Sequence, residues 1–478
     1  MEQLSRNTHS APARTERILQ FGEGNFLRAF ADWMIDKMNK EADFDGGVVA
    51  VQPIDRGMIK MINDQDGLYT VLLNGIKNGE AVKEYEVVDC IQRGLDPYTQ
   101  FEEYLAIAEN PELRFVISNT TEAGIAYHEN NTINDAPPSS FPAKLTVLLK
   151  KRFDAFAGAT DKGLIFIPCE LIDRNGDNLK RIILQYAEEW GLSTEFKTWV
   201  EEHNIFTNTL VDRIVPGYPK TKIEEITKEI GYKDNIVVEG EQFHLWVIEG
   251  PQSVKDEFPS EKCGLNVIFT DDMAPYRTRK VRILNGAHTT MVPVAYLYGI
   301  EYVRESVEHE VVGEWIKDAI YKEIVPTLDL SKEELESFSA DVIDRFRNPY
   351  LKHALMSISL NSVSKFKTRV LPSLTQYVDL KGELPQKLVI SLSALIAFYK
   401  GNVGGKEIAL NDDASVLEFA ASAWSEYTDV ASLKSVAESF LGNESFWGQD
   451  LNKITGLTDA VAENLAVILG DGIQNLLG

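Results

Sequence analysis

Two kinds of hydrophobic spacing divide this chain of 478 residues, and one gives way to the other near residue 275. Before that point short apolar runs alternate with helical ones. Residues 17–21 (Arg-Ile-Leu-Gln-Phe) read as a buried strand, and Gly22-Glu23-Gly24-Asn25 as a turn. Phe26, Phe30, Trp33, Met34 and Met38 then recur at helical spacing. A second, β-branched strand is expected over 48–54. Strand, glycine turn, helix, strand is the start of a βαβ unit. Further strands are expected at 86–91, 115–119 and 164–167, with helices at 96–108 and 142–156. Alternation of this kind predicts a doubly wound, mostly parallel sheet.

Beyond residue 275 strand-like runs become rare. Helical patterns follow at 279–297, 307–324, 332–345, 384–399, 414–425, 430–440 and 460–477. The fold class is therefore α/β: a Rossmann-type, doubly wound domain over 1–274, followed by a mostly α-helical domain over 275–478. The longest apolar run, 388–399, is interrupted by serines. It suits a buried helix and is too short for a membrane span.

Lys+Arg of 48 against Asp+Glu of 73 leaves a formal charge of −25. Such a chain repels nucleic acid and anionic lipid, so neither is an expected partner. Cys90, Cys169 and Cys263 are unclustered and odd in number, which points to a reducing compartment. The first residues lack an apolar secretion segment, and a cytoplasmic location is the expectation.

Chemistry concentrates in the run Arg279 to His288, which holds Lys280, Asn285 and His288 at i, i+5 and i+8. On an α-helix these fall at about 0°, 140° and 80°, within one broad face. A lysine accepts a proton when its pocket lowers its pKa, and an amide and an imidazole beside it can hold a substrate oxygen. That set moves a proton on or off a hydroxyl without a metal. The same spacing also fits a plain helix start with a basic first turn.

Gly22-x-Gly24 has two readings as well. Glycines after a strand and before a helix let a backbone approach a pyrophosphate, but a bare pair is often only a tight turn. Leu27 stands where a third glycine is usual. The tip of the second strand is Gln52-Pro53, with Asp55 and Arg56 following. An acid there would favour NAD over NADP. The seven histidines form no HxH or HExxH, and no CxxC, phosphate loop or GxSxG elbow occurs, so no metal site is expected. Two basic groups, Arg277/Arg279/Lys280/Arg282 and Lys365/Lys367/Arg369, are either solvated helix faces or the walls of an anion-binding cleft.

Several stretches together carry a resemblance. They are residues 18–29 (Ile-Leu-Gln-Phe-Gly-Glu-Gly-Asn-Phe-Leu-Arg-Ala), 66–70, 118–124, 169–176, Lys280 to His288, and Arg345-Phe-Arg-Asn-Pro349. From about Arg17 onward the chain resembles the mannitol dehydrogenase family of zinc-independent, polyol-specific long-chain dehydrogenases. The resemblance implies NAD(H) bound at Gly22, Glu23, Gly24, Asn25, Phe26, Leu27 and Arg28, with Asp55, Thr121 and Glu122 close by. It implies Lys280 as general acid/base, Asn285 as the amide holding the reacting oxygen, and His288 as the substrate-orienting group. Lys365 matches a substrate-contacting lysine. Arg369 is a second candidate for holding a carboxylate.

Three positions depart from mannitol-type members: Leu171 replaces an asparagine, Ser357 an arginine, and Phe30 the histidine of Arg-Ala-His. These differences suit a branch that acts on small sugar acids, with reduction of tagaturonate to altronate as the expected reaction. Fructuronate reduction, mannitol-type polyol oxidation and a non-catalytic NAD(H)-binding sensor are the alternatives.

Overall fold

Ile18, Leu19 and Phe21 are fully buried, and with them β1 (Glu16–Phe21) takes the centre of a six-stranded sheet. The computed structural model describes residues 1–77 and 79–477. Two compact units divide it. One comprises Met1–Gly75 and Val82–Met273; the other begins at Ala274 and includes Ile76–Ala81.

In the first unit β2 (Gly47–Val51) pairs in parallel with β1. An excursion through β3 (Tyr69–Lys77) and β4 (Glu80–Val88) precedes β5 (Ile91–Leu95), which pairs with the outer side of β2. β6 (Phe115–Ser118) pairs with the other side of β1, followed outward by β7 (Ile165–Pro168) and β8 (Ile205–Phe206). The order β5-β2-β1-β6-β7-β8, all parallel, is that of a Rossmann fold. The order reverses between β1 and β6, so a crevice opens beyond the carboxyl ends of Phe21 and Ser118.

Two three-stranded sheets lie outside the sequence expectations. β9 (Asn208–Asp212) runs antiparallel to β11 (Leu245–Glu249), which pairs in parallel with β12 (Val267–Thr270). β10 (Val238–Glu241) pairs in parallel with β3, and β4 completes that sheet.

Other boundaries moved for local reasons. The strand expected over 86–91 is interrupted: Glu86–Val88 end β4, Ile91 starts β5, and Asp89-Cys90 form a corner between them. There the Asp89 N–H donates to Asp36 Oδ1 (3.1 Å) and the Cys90 thiol to Asp32 O (3.4 Å). β2 ends at Val51, just before Gln52-Pro53, where proline has no N–H to donate. The helix expected from Phe26 breaks into Asn25–Arg28 and Ala31–Glu41. The carbonyls of Arg28 and Ala29 are taken instead by Tyr69 OH (2.9 Å) and Arg213 Nη1 (2.7 Å).

From Ala274 onward the described residues of the second unit are helical apart from a small hairpin, Asn402–Val403 with Lys406–Glu407. At its centre is Gln386–Phe398, in which every residue from Leu388 onward is buried. The serines that interrupt this run are bonded: Ser391 Oγ donates to Thr290 O (2.9 Å) and Ser393 Oγ to Val389 O (2.9 Å). Gly286–Tyr298 and Leu457–Gly470 pack against it, and Ala414–Ser425 reaches it through Trp424 Nε1, which donates to Ile396 O (3.1 Å). Lys332–Phe346, Ser362–Arg369, Leu371–Lys381 and Leu433–Leu441 are further helices of the unit. Among the described residues no helix is long and apolar enough to cross a membrane.

Asn175 latches the carboxyl end of β7 to β9. Its buried amide donates to Pro168 O (3.0 Å) and Glu170 O (3.1 Å) and accepts from the N–H groups of Thr209 and Gly176 (2.9 Å each). Asn175→Ala strands several of these groups without partners. It is expected to lower unfolding free energy by about 2–4 kcal/mol. Urea denaturation measures this as a lower midpoint at unchanged slope; a loss below about 0.5 kcal/mol would show the latch to be dispensable.

Candidate active site

Gly22 follows β1 directly, with φ +106°. A side chain there would be strained, and its Cβ would lie 2.7 Å from Asn119 O at the end of β6. This glycine is required by the switch point itself. Gly24 differs: it is exposed, and a Cβ on it would meet nothing within 4 Å. The start of the Asn25–Arg28 helix therefore faces open space with its free N–H groups. This geometry fits a pyrophosphate.

The turn is fixed from below by a buried polar network. Gln20 Nε2 donates to Gly22 O (3.1 Å) and to Asp32 Oδ2 (3.2 Å). Arg28 is fully buried and donates to Glu23 O (3.2 Å), Asn25 Oδ1 (2.9 Å) and Ile236 O, while its guanidinium lies 5.1 Å from the centre of the Tyr69 ring. The Tyr69 hydroxyl also reaches Asp32 Oδ2 (3.2 Å). Leu27 packs in the core beneath the turn. Leu27 and Arg28 thus hold the turn's shape, and Asn25 and Phe26 are partly exposed at its edge.

Glu23 turns toward the loop after β2. Met58 N–H donates to its Oε1 (3.0 Å), and burial pushes its pKa up. That loop carries Asp55, which is exposed. On the opposite side Thr121 and Glu122 are exposed after β6, and Thr121 has φ +70°, a strained conformation for a β-branched residue. Their neighbour Thr120 is fixed by Glu170, which accepts its N–H and hydroxyl (2.9 Å each) and the Ser118 hydroxyl (3.0 Å). Leu171, where an asparagine was expected of mannitol-type members, is 64% exposed. Sequence spacing gave no signal for Gln20, Tyr69 or Glu170, because each acts through partners distant in the chain.

In the second unit Lys280, Asn285 and His288 lie on one continuous helical run. The run is α-helical over Ala274–Arg279, widens to π form over Lys280–Asn285, and is α-helical again over Gly286–Tyr298. A turn that closes at i+5 stacks residues five apart. Lys280 and Asn285 therefore come to one side instead of the 140° separation of an ideal α-helix. All three side chains are partly buried. A Cβ on Gly286 would lie 3.1 Å from Arg369 O, so this glycine lets the run pass close to the end of the Ser362–Arg369 helix.

The two basic groups separate. Arg279 and Arg282 are buried and held inside the unit. Arg279 pairs with Glu334 (3.3 Å), and Arg282 donates to Ser373 Oγ (2.8 Å) and Gln376 Oε1 (3.1 Å). They are not part of an open anion-binding wall. Lys365 and Arg369, four apart on one helix face, do approach His288 and act on its charge. Lys365 donates to Ile358 O (2.7 Å). Lys367 points elsewhere, toward Gly448.

Burial and the nearby bases push the His288 pKa well below its ordinary value, so the ring is neutral. Among the described residues its buried Nε2 has no hydrogen-bond partner. A stranded nitrogen of this kind costs about 1–3 kcal/mol unless a ligand meets it.

The network under the glycine turn carries a pH signature. Burial pushes the Asp32 carboxyl from 3.8 up to about 7. The folded state then binds this proton more tightly than the unfolded chain. Asp32 supports folding at acid pH, and that support fades as pH rises from about 4 through about 7. Asp32→Asn removes the titration. Its stability relative to the parent protein is expected to improve across that window, by on the order of 3–4 kcal/mol, and to level off above it. Denaturant unfolding at a series of pH values tests this; a difference independent of pH would contradict it.

Residues 16–262 match the model of the mannitol dehydrogenase Rossmann domain, and residues 272–469 that of the mannitol dehydrogenase C-terminal domain. The chain is 51% identical over 475 residues to an altronate oxidoreductase of Bacteroides thetaiotaomicron, covering 99% of this chain and 98% of that one. An altronate oxidoreductase of Bacillus subtilis is 48% identical over 478 residues, covering 100% and 98%. Among solved structures, a substrate-free D-sorbitol dehydrogenase superposes with a TM-score of 0.80 at 21% identity, covering 100% of both chains. The Pseudomonas fluorescens mannitol 2-dehydrogenase in ternary complex with NAD and D-mannitol gives 0.64 at 21% identity, covering 100% and 99%. These two structures share the fold.

Proposed function

The chain belongs to the mannitol dehydrogenase family, and we propose that this member catalyses the reversible reduction of D-tagaturonate to D-altronate. It is an oxidoreductase of CH–OH groups, acting on polyols or sugar acids. The observation that carries the finer reading is similarity along the whole chain to altronate oxidoreductases. The open glycine turn and the Lys280/Asn285/His288 set support it.

NADH would be held at the Gly22–Asn25 turn, with the exposed acid Asp55 favouring it over NADPH, and would supply a hydride to the keto carbon of the substrate. Helix N–H groups beyond Gly24 bind its pyrophosphate. Protonated Lys280 gives a proton to the oxygen that becomes negative during reduction; in the reverse direction the neutral amine takes it back. Asn285, brought beside Lys280 by the π turn, donates its amide N–H to the same oxygen. Neutral His288 orients an adjacent hydroxyl through its free Nε2. Lys365 and Arg369 hold the carboxylate.

Loss of NADH absorbance with tagaturonate, fructuronate and fructose in parallel, repeated with NADPH, tests the substrate and cofactor. Turnover is expected on tagaturonate with NADH, far above the others. Lys280→Ala is expected to lower kcat about 10²–10⁴-fold while still binding NADH. A folded variant with near-parental turnover would remove Lys280 from the acid/base role.

A further inference from the structure

His353 stands beside His288 although nothing in its spacing singles it out. It lies in the connection between the Lys332–Phe346 and Leu355–Ile358 helices. The backbone on both sides is pinned. Val303 N–H donates to His353 O (3.0 Å), Leu355 N–H donates to Glu301 O (2.9 Å), and Tyr302 and Ala354 pair as an antiparallel bridge. The imidazole therefore has a fixed place. It meets the His288 ring edge-on, with centroids 5.3 Å apart, and Phe346 packs on His288 at 4.2 Å.

The charged and titratable groups that act most on His288 are His353, Arg345, Arg369 and Lys365, all of them bases. They come from three separate segments, in a protein whose formal charge is −25. Lys365, Arg369 and Arg345 gather positive charge beside the two rings; Asp412 acts on Lys365 and Asp341 on Arg345, so the charge is answered in part. Burial favours the neutral form of both imidazoles, in which a ring offers one N–H donor and one lone pair. Among the described residues the His288 Nε2 has no partner, and the half-buried His353 ring makes no hydrogen bond. A polar ring on a pinned backbone, next to an orphaned nitrogen and beside clustered cations, is a recognition surface for an oxygen-rich anion.

We propose that His353 is a specificity-determining residue, which with Lys365 and Arg369 takes the carboxylate end of the substrate and selects a sugar acid over the matching neutral polyol. This rests on the function proposed above and assigns the selection to a residue outside the Lys280/Asn285/His288 set. The competing role is packing alone, with the His353 ring only filling space against His288.

D-altronate and its neutral counterpart D-altritol, titrated separately into the NADH complex and followed by NADH fluorescence, distinguish the two. The unsubstituted protein is expected to bind altronate at least about 10-fold more tightly than altritol, a difference of about 1.4 kcal/mol. His353→Leu is expected to bring the two ligands within about 2-fold, by weakening altronate and leaving NADH affinity unchanged. His353→Gln, which keeps a hydrogen-bonding group, is expected to restore part of the preference. If His353→Leu unfolds, His353→Phe, which keeps a ring and removes its polar atoms, carries the test, with the same collapse of preference expected. A preference that survives the folded variants overturns this inference alone. Equal weakening of both ligands also overturns it, in favour of packing. An unsubstituted protein that binds neither ligand overturns the proposed function as well.

Discussion

Between Lys280 and Asn285 the helix closes its turns at i+5, and the acid/base roles proposed for the second unit depend on that widening. In an unbroken α-helix Asn285 would sit about 140° from Lys280, too far round to share one substrate atom. The widened turn stacks the two, and the return to α form at Gly286 carries His288 onto the same side. Packing holds the distortion in place. Arg282, in the middle of the wide turn, is anchored to Ser373 and Gln376, while Gly286 lets the next turn pass against Arg369 O.

The first unit solves a related problem with buried charge. A glycine turn that faces open space has little packing above it, and its shape is set from beneath by Gln20, Arg28, Asp32 and Tyr69. Desolvation makes this arrangement expensive, as the raised Asp32 pKa records. What it gives in return is a turn whose N–H groups do not have to reorganise when an anion arrives. His288 in the second unit follows the same logic. Its Nε2, without a partner among the described residues, is a cost that a hydrogen-bonding ligand would remove.

Much of this was legible in the sequence, for identifiable reasons. β1, its glycine turn, the central parallel strands and the change to helices near residue 275 follow from hydrophobic period, which local sequence determines. Lys280, Asn285 and His288 stood out because they are close in the chain. The break after Arg28 was hidden because Tyr69 and Arg213, which take the freed carbonyls, are far away in sequence. The inward turn of Arg279 and Arg282 was hidden likewise, since their partners lie on the helices Lys332–Phe346 and Leu371–Lys381. The π turn has no periodic signature at all. An ideal wheel drawn through 280–288 therefore gave the wrong angles. His353 lay outside every pattern because its backbone is positioned by Glu301 and Val303.

The central claim is that the widened turn makes Lys280 and Asn285 act on one oxygen as a unit. A double-mutant cycle on kcat/KM with Lys280→Ala, Asn285→Ala and the pair together tests it directly. Groups that serve one oxygen are strongly non-additive, so the double variant is expected to be scarcely slower than Lys280→Ala, with a coupling of at least about 1 kcal/mol. Losses that simply add, with coupling within about 0.3 kcal/mol of zero, would mean that the two side chains act apart and that the π turn does not align them.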